Sequence, residues 1–251
     1  MKLPEIIIVG ATKCGTTALW YNLDKHPDIF MAPKSKTSIE MHFWKSTSWK
    51  KGLDWYKTRF PTKKLAGEKS AAYFANKQAF KTMHKYIPDV KLIFCVRNPV
   101  DRAYSNFQMN KKARKVSVFN RNIFNQRYAA HGKYINFIER NILKHYPQDQ
   151  LHICVTEHMK KNPTEEMRKV FEFIGVSDLG YPKKIIDGQL LKNRSRQEDI
   201  KLNQKEKFYR VWSKQPDKLV GPFRKELLNY YKPFNLRLFD YLGYNIKEWN
   251  K

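Results

Sequence analysis

The chain has 251 residues, with 49 lysines and arginines against 23 aspartates and glutamates, and a formal charge of +26. That length suits one α/β domain with a substantial core, and no Gly/Ser-rich or Pro-rich linker divides it. No run approaches the roughly eighteen apolar residues of a membrane span, and an odd, scattered set of cysteines (Cys14, Cys95, Cys154) argues against a disulfide framework.

Basic residues are spread along the whole chain, which calls for a polyanionic partner. Nucleic acid, an acidic lipid surface and a sulfated or carboxylated polysaccharide all meet that demand, and charge alone does not choose among them. A non-catalytic polyanion-binding module is therefore one reading to keep. The chain opens directly on a strand without a secretory leader, so a cytoplasmic location is expected, with a Golgi-luminal fragment as the alternative.

The first element is the run Ile6–Val9, four β-branched residues in a row, broken at Gly10. A helix is expected to start near Gly15. Strand, glycine-bounded loop and helix start together form a nest of backbone N–H groups at the positive end of a helix dipole, a seat for phosphate. Thr12, Lys13, Cys14, Gly15, Thr16 and Thr17 are its candidate contacts. A nucleotide P-loop reads G-x-x-x-x-G-K-[ST], with lysine after the second glycine. Here Lys13 lies inside the loop and Thr16-Thr17 follow the glycine, which weakens the usual metal and γ-phosphate arrangement and lets lysine face a bridging oxygen.

Downstream, the helix from Ala18 is expected to stop before His26-Pro27. Phe30–Trp44, with Lys34, Lys36, Glu40 and His42, shows no periodicity and reads as a loop lining a site. Trp49–Phe60 reads as a short helix, Leu65–Lys69 as a strand and Asn76–Tyr86 as a helix. Val90–Val96 is a second core strand ending on Arg97-Asn98-Pro99, and a helix Val100–Lys112 follows with Arg102 and Ser105 on its first turns. Tyr134–Tyr146 is amphipathic, Leu151–Val155 is a strand, and Pro163–Ile174 is a helix. Beyond Gly175 a basic segment leads to helical runs at Asn203–Trp212 and Asp217–Tyr231, with Asn235–Leu242 packing the end. Strands alternating with helices predict a central parallel sheet flanked by helices, with ligands at the strand carboxyl ends where Lys13 and Arg97 fall. The expected division is one domain over 1–251: a core over about 4–175, then a basic lid and C-terminal helices over about 176–251.

The loop G-x-x-K-x-G-T-T resembles the 5′-phosphosulfate loop of sulfotransferases that use 3′-phosphoadenosine 5′-phosphosulfate. Arg97-Asn98-Pro99-Val100-Asp101-Arg102-Ala103-Tyr104-Ser105 is similar to that family's R-[DN]-P-x-x-R-x-x-S box, which binds the 3′-phosphate. Arginine offers a planar fork to phosphate, and a serine one to two turns on adds a hydroxyl. A Walker-type site would place an acidic residue at this kind of strand end for magnesium, so a nucleotide-dependent kinase is the weaker enzymatic reading.

The resemblance extends from Pro4 to about Gly175, toward the heparan sulfate glucosaminyl 3-O- and N-sulfotransferases. Their likeness is carried by His26-Pro27-Asp28, Glu40-Met41-His42-Phe43-Trp44, Gly52-Leu53-Asp54-Trp55-Tyr56 and Glu68-Lys69-Ser70-Ala71-Ala72-Tyr73-Phe74. It implies a P-loop-like three-layer fold, Glu40 as catalytic base, Lys69 beside the transfer site and Lys13 on the transferring group. His42, two residues on, is the rival base. It also implies adenosine 3′,5′-bisphosphate as product, no metal, and an anionic or neutral carbohydrate acceptor, with nucleic acid disfavoured. The family closes with a disulfide-linked hairpin and a K-G-R segment; here the cysteines are missing and the segment reads Lys192-Asn193-Arg194, from which Lys192 and Arg194 are carried over as phosphate contacts.

Overall fold

In the computed structural model the described residues are 1–33, 35, 38–45, 48–114, 118–178 and 219–250. Five parallel strands form one sheet: β1 (Ile6–Gly10), β2 (Ile29–Met31), β3 (Leu65–Lys69), β4 (Lys91–Val96) and β5 (Leu151–Val155), in the order β2-β3-β1-β4-β5. β1 is central, with Ile6 opposite both Gly67 and Lys91. Its four apolar residues are 0 % exposed, as expected of a strand covered on both faces.

Helices fill the connections: α1 (Thr16–Asp24), α2 (Gly52–Lys57), α3 (Lys77–Tyr86), α4 (Pro99–Arg114), α5 (Arg121–Arg127), α6 (Tyr134–Phe137, continued by a wider turn to Ile142), α7 (Thr156–Lys161) and α8 (Pro163–Ile174). The chain leaves β1 toward one edge of the sheet and leaves β4 toward the other. Their carboxyl ends therefore flank the reversal point at which open α/β sheets leave a crevice.

Three expectations need correction. Phe30 is not loop: Ile29–Met31 form the edge strand β2, paired with Leu65–Gly67, and only the residues after it run irregularly. Tyr134–Tyr146 is helical only to Ile142. The two expected C-terminal pieces are one 21-residue helix, α9 (Pro222–Leu242), which runs through Pro233. Proline removes one helical hydrogen bond there, but burial at both ends holds the helix. Leu227 and Tyr231 pack on α4 and α5, while Leu238 and Phe239 join the main core. The expected helix Asn203–Trp212 and the start of the Asp217 run lie outside the described residues. Among the described residues no helix is long and apolar enough to cross a membrane.

Candidate active site

The loop leaving β1 is built by close approach. A Cβ on Gly10 would meet Phe74 Cδ1 at 2.8 Å, so only glycine lets the turn sit against that ring. Lys13 and Gly15 both take positive φ, 73° and 78°, and Gly15 precedes α1 without a capping side chain. The first bond into the helix runs from Leu19 N–H to Gly15 O at 3.0 Å. The N–H groups ahead of it, from Gly15 to Ala18, lie at the start of the helix, where the intrahelical ladder supplies them no acceptor, the kind of position that suits an anion.

Its surroundings hold this loop in shape. Thr12 Oγ1 donates to Ala71 O at 3.2 Å, and Thr156 Oγ1, just past β5, lies within 2.9 Å of Cys14 O and 2.8 Å of Val96 O. Cys14 is buried against the Tyr134 hydroxyl at 3.4 Å, and burial pushes its thiol up to about 12. It is a packing residue and not a nucleophile. The Lys13 ammonium reaches toward α4, 3.8 Å from Met109 Sδ. Burial, then the Arg97 guanidinium beside it, holds Lys13 below the ordinary lysine range.

At the end of β4, Arg97 is 8 % exposed and its Nη1 lies 3.4 Å from Lys13 O, so the arginine box and the loop share one wall. Asn98 caps α4 through its side-chain oxygen, 3.0 Å from Val100 N and 3.3 Å from Asp101 N. Glu157 on α7 accepts from Asn98 N at 2.9 Å and from Trp249 Nε1 at 3.0 Å. Arg102 turns away from the crevice: it is 0 % exposed and donates to Tyr128 O at 2.6 Å beneath α4. Ser105 is half-buried in the second turn of α4.

The third wall is the segment after β2. Glu40 bridges to Lys69 as a short parallel extension of the sheet, and their side chains form an ion pair. The other carboxylate oxygen of Glu40 accepts from Ala71 N at 2.8 Å and lies 3.6 Å from His42 Nε2. Lys69 Nζ also donates to Thr17 Oγ1 at 2.9 Å. Glu40, His42, Lys69 and the start of α1 are thus brought together, with Lys69 almost fully buried and Glu40 partly open to solvent. Glu40 and His42 do share a side, through a left-handed turn at His42 (φ 52°) and not through an extended strand.

Sequence reasoning missed Glu68, Thr156 and Tyr134. Glu68 is 0 % exposed and accepts from three hydroxyls under the Glu40 segment, at 2.7–3.0 Å. A charged residue inside an apolar strand, one place before Lys69, was the available signal. Lys192 and Arg194, like Lys34 and Lys36, lie outside the described residues. Among the described residues no three His, Cys, Asp or Glu side chains are grouped to hold a metal ion.

Amides at a helix start, three cations and one half-open carboxylate gathered at one crevice suit an anionic group held beside a proton acceptor. Comparison with known proteins agrees. The family model described as "Sulfotransferase domain" matches residues 3–240. The bifunctional heparan sulfate N-deacetylase/N-sulfotransferase 3 of Mus musculus is 32 % identical over 198 residues, covering 70 % of this chain and 23 % of that protein. Enzyme 2 of Homo sapiens is 30 % identical over 198 residues, covering 70 % and 22 %. The chain thus spans less than a quarter of the length of these relatives. Among solved structures, a sulfotransferase from Alicyclobacillus acidocaldarius superposes with a TM-score of 0.74 at 22 % identity, covering all of both chains. Mouse sulfotransferase SULT7A1, solved in complex with PAP, superposes at 0.52 and 18 % identity, covering 96 % of this chain and 84 % of that one.

Proposed function

The chain belongs to the sulfotransferase domain family, and from that premise we propose that it moves a sulfuryl group from 3′-phosphoadenosine 5′-phosphosulfate to a hydroxyl or amine of a carbohydrate. The reading treats 1–251 as one domain. The donor fits the groups present: amides at the start of α1 with Lys13, Lys69 and Thr17 for the phosphosulfate, and Arg97 with Ser105 for the 3′-phosphate.

In the proposed reaction, Glu40 takes the acceptor proton as the acceptor atom bonds to sulfur. The bond from sulfur to the 5′-phosphate oxygen breaks in line, and adenosine 3′,5′-bisphosphate leaves with its new charge facing Lys13. Positioning and fixed charge carry such a transfer. The observation that carries the reading is Lys69, which touches the proposed base on one side and the phosphate loop on the other. A carbohydrate acceptor is supported by the names of the relatives and by the +26 charge, which suits an anionic polysaccharide as well as a neutral one.

The test is purified protein given the sulfated donor and a panel of polysaccharides and oligosaccharides, with release of adenosine 3′,5′-bisphosphate followed by chromatography. Acceptor-dependent release with and without a chelator is expected. Phosphoryl transfer from ATP that needs magnesium would replace this reading with a kinase. Polyanion binding that fades with salt, with no bisphosphate affinity, would replace it with a binding module.

A further inference from the structure

We propose that Glu68 is a positioning residue of this transfer: a single buried carboxylate orients three hydroxyls, and those hydroxyls hold the segment that carries Glu40 and His42. The inference rests on the reading above for what the segment does, though not for the network itself.

The three links run in parallel. Trp44 N donates to the Tyr73 hydroxyl at 3.1 Å, and that hydroxyl donates to Glu68 Oε1 at 3.0 Å. Trp44 Nε1 donates to the Tyr56 hydroxyl at 3.2 Å, which donates to the same oxygen at 2.7 Å. His42 N donates to Ser70 Oγ at 2.7 Å, which donates to Glu68 Oε2 at 2.8 Å. A hydroxyl has one proton to give. With that proton on Glu68, its lone pairs face outward to accept an N–H, so one anion makes acceptors of all three.

Glu68, Ser70, Tyr56 and Tyr73 are each 0 % exposed, so water cannot replace a lost link. Alternation along β3 sends Lys69 toward the crevice and Glu68 to the opposite face, so Glu68 touches neither donor nor acceptor. It acts only through what it holds.

Adding a proton to Glu68 undoes the arrangement. The carboxyl then donates to one hydroxyl, which must turn its own proton off Glu68 toward the side where it accepts the N–H of His42 or Trp44, and that link weakens. The groups facing Glu68 are Tyr56 from α2, Ser70 and Tyr73 from the turn after β3, and Glu40 from the segment after β2. Burial, with the Glu40 charge acting the same way, pushes Glu68 up to about 7 despite the three hydroxyls, so the change falls in the working pH range.

The test begins with unmodified protein. The Trp44 indole N–H, assigned by Trp44→Phe, is followed by nitrogen-15 NMR from pH 5 to 9. We expect it to move with a midpoint near 7, and an indole that does not move across this range overturns the proposal. Glu68→Gln then fixes a neutral side chain at the hub. Its kcat should fall by about ten- to a hundredfold, as for a misplaced reacting group, while adenosine 3′,5′-bisphosphate affinity stays within about twofold. The decline of kcat below pH 7 should also vanish, a change that simple loss of stability would not produce. Wild-type kcat, or an unchanged acid limb, in folded Glu68→Gln overturns it. If Glu68→Gln does not fold, the indole titration decides alone. Full activity in Glu40→Gln would instead remove the base assignment and leave the indole result standing.

Discussion

Glu40 and Lys69 are joined twice, by a parallel bridge between their backbones and by an ion pair between their side chains. The double link matters because the bridge fixes where the carboxylate starts and the ion pair fixes where it ends. Lys69 spends a further donor on Thr17, so the proposed base is registered against the start of α1 by one buried side chain.

If Glu40 removes the acceptor proton, Glu40→Gln keeps its shape and its bond from Ala71 N but loses the basic site. Turnover should collapse while bisphosphate affinity, measured by calorimetry, persists. His42→Ala should keep much of its activity. An active Glu40→Gln beside a dead His42→Ala would exchange the two roles.

Lys13→Ala should lower transfer at least about a hundredfold, the scale of losing one fixed donor at a transition state. The loop should still fold, since Thr12, Cys14 and Gly15 hold it from elsewhere. Circular dichroism with single-turnover assays separates the two, and near-normal turnover would sink the assignment.

Arg97→Ala should weaken adenosine 3′,5′-bisphosphate far more than adenosine 5′-phosphate, because the guanidinium is assigned to the phosphate that only the first carries. Equal losses in calorimetric titrations would mean that Arg97 serves the loop through Lys13 O alone.

Cys14 should resist alkylation. It lies in the loop between β1 and α1, but it is 2 % exposed and its thiol is pushed up to about 12. At pH 8 iodoacetamide should leave it unmodified in native protein and modify it in denaturant, read by peptide mass spectrometry. Rapid native labelling would contradict the packing role.

Glu68 should make the fold itself pH-dependent, and the sign follows from its raised value. A folded value of about 7, against an ordinary 4.5, means that the native state holds the proton more tightly. The stabilisation is full below about 4.5 and is lost as pH rises toward 7, on the order of 3 kcal/mol in all. Denaturant unfolding should show Glu68→Gln gaining on the wild type across that window and then running level. The ionised form that orders the segment is thus the one that costs stability, a trade common at functional sites.

Most of the sheet was legible because buried parallel strands are written as short apolar runs, and Ile6–Val9, Val90–Val96 and Leu151–Val155 are such runs. Ile29–Met31 was not legible, since three residues between Pro27 and Pro33 carry no period. Asp217–Tyr231 and Asn235–Leu242 read as separate pieces, whereas packing at both ends of α9 carries one helix through Pro233. In the site, Lys13, Arg97, Glu40 and Lys69 were named from motifs, yet nothing along the chain foretold that Glu40 and Lys69 would pair directly. Glu68 needed Tyr56, Ser70 and Tyr73 to converge on it, and convergence of distant residues leaves no local pattern.

The central place of β1 also sets the order in which the molecule can be assembled. Its Ile6 is matched to Gly67 on one side and Lys91 on the other, so the strand made first waits for partners made much later. Such distant pairings close slowly. During synthesis the apolar run Ile6–Val9 therefore lacks any strand partner until β3 has emerged, and lacks one on its other edge until β4 has, a stretch open to misassociation. The proposed anion-binding turn after it is held by Ala71, just past β3, and by Cys95 of β4, so it takes shape only once both neighbours have paired, and the ligand affinity assigned to it is expected late in folding.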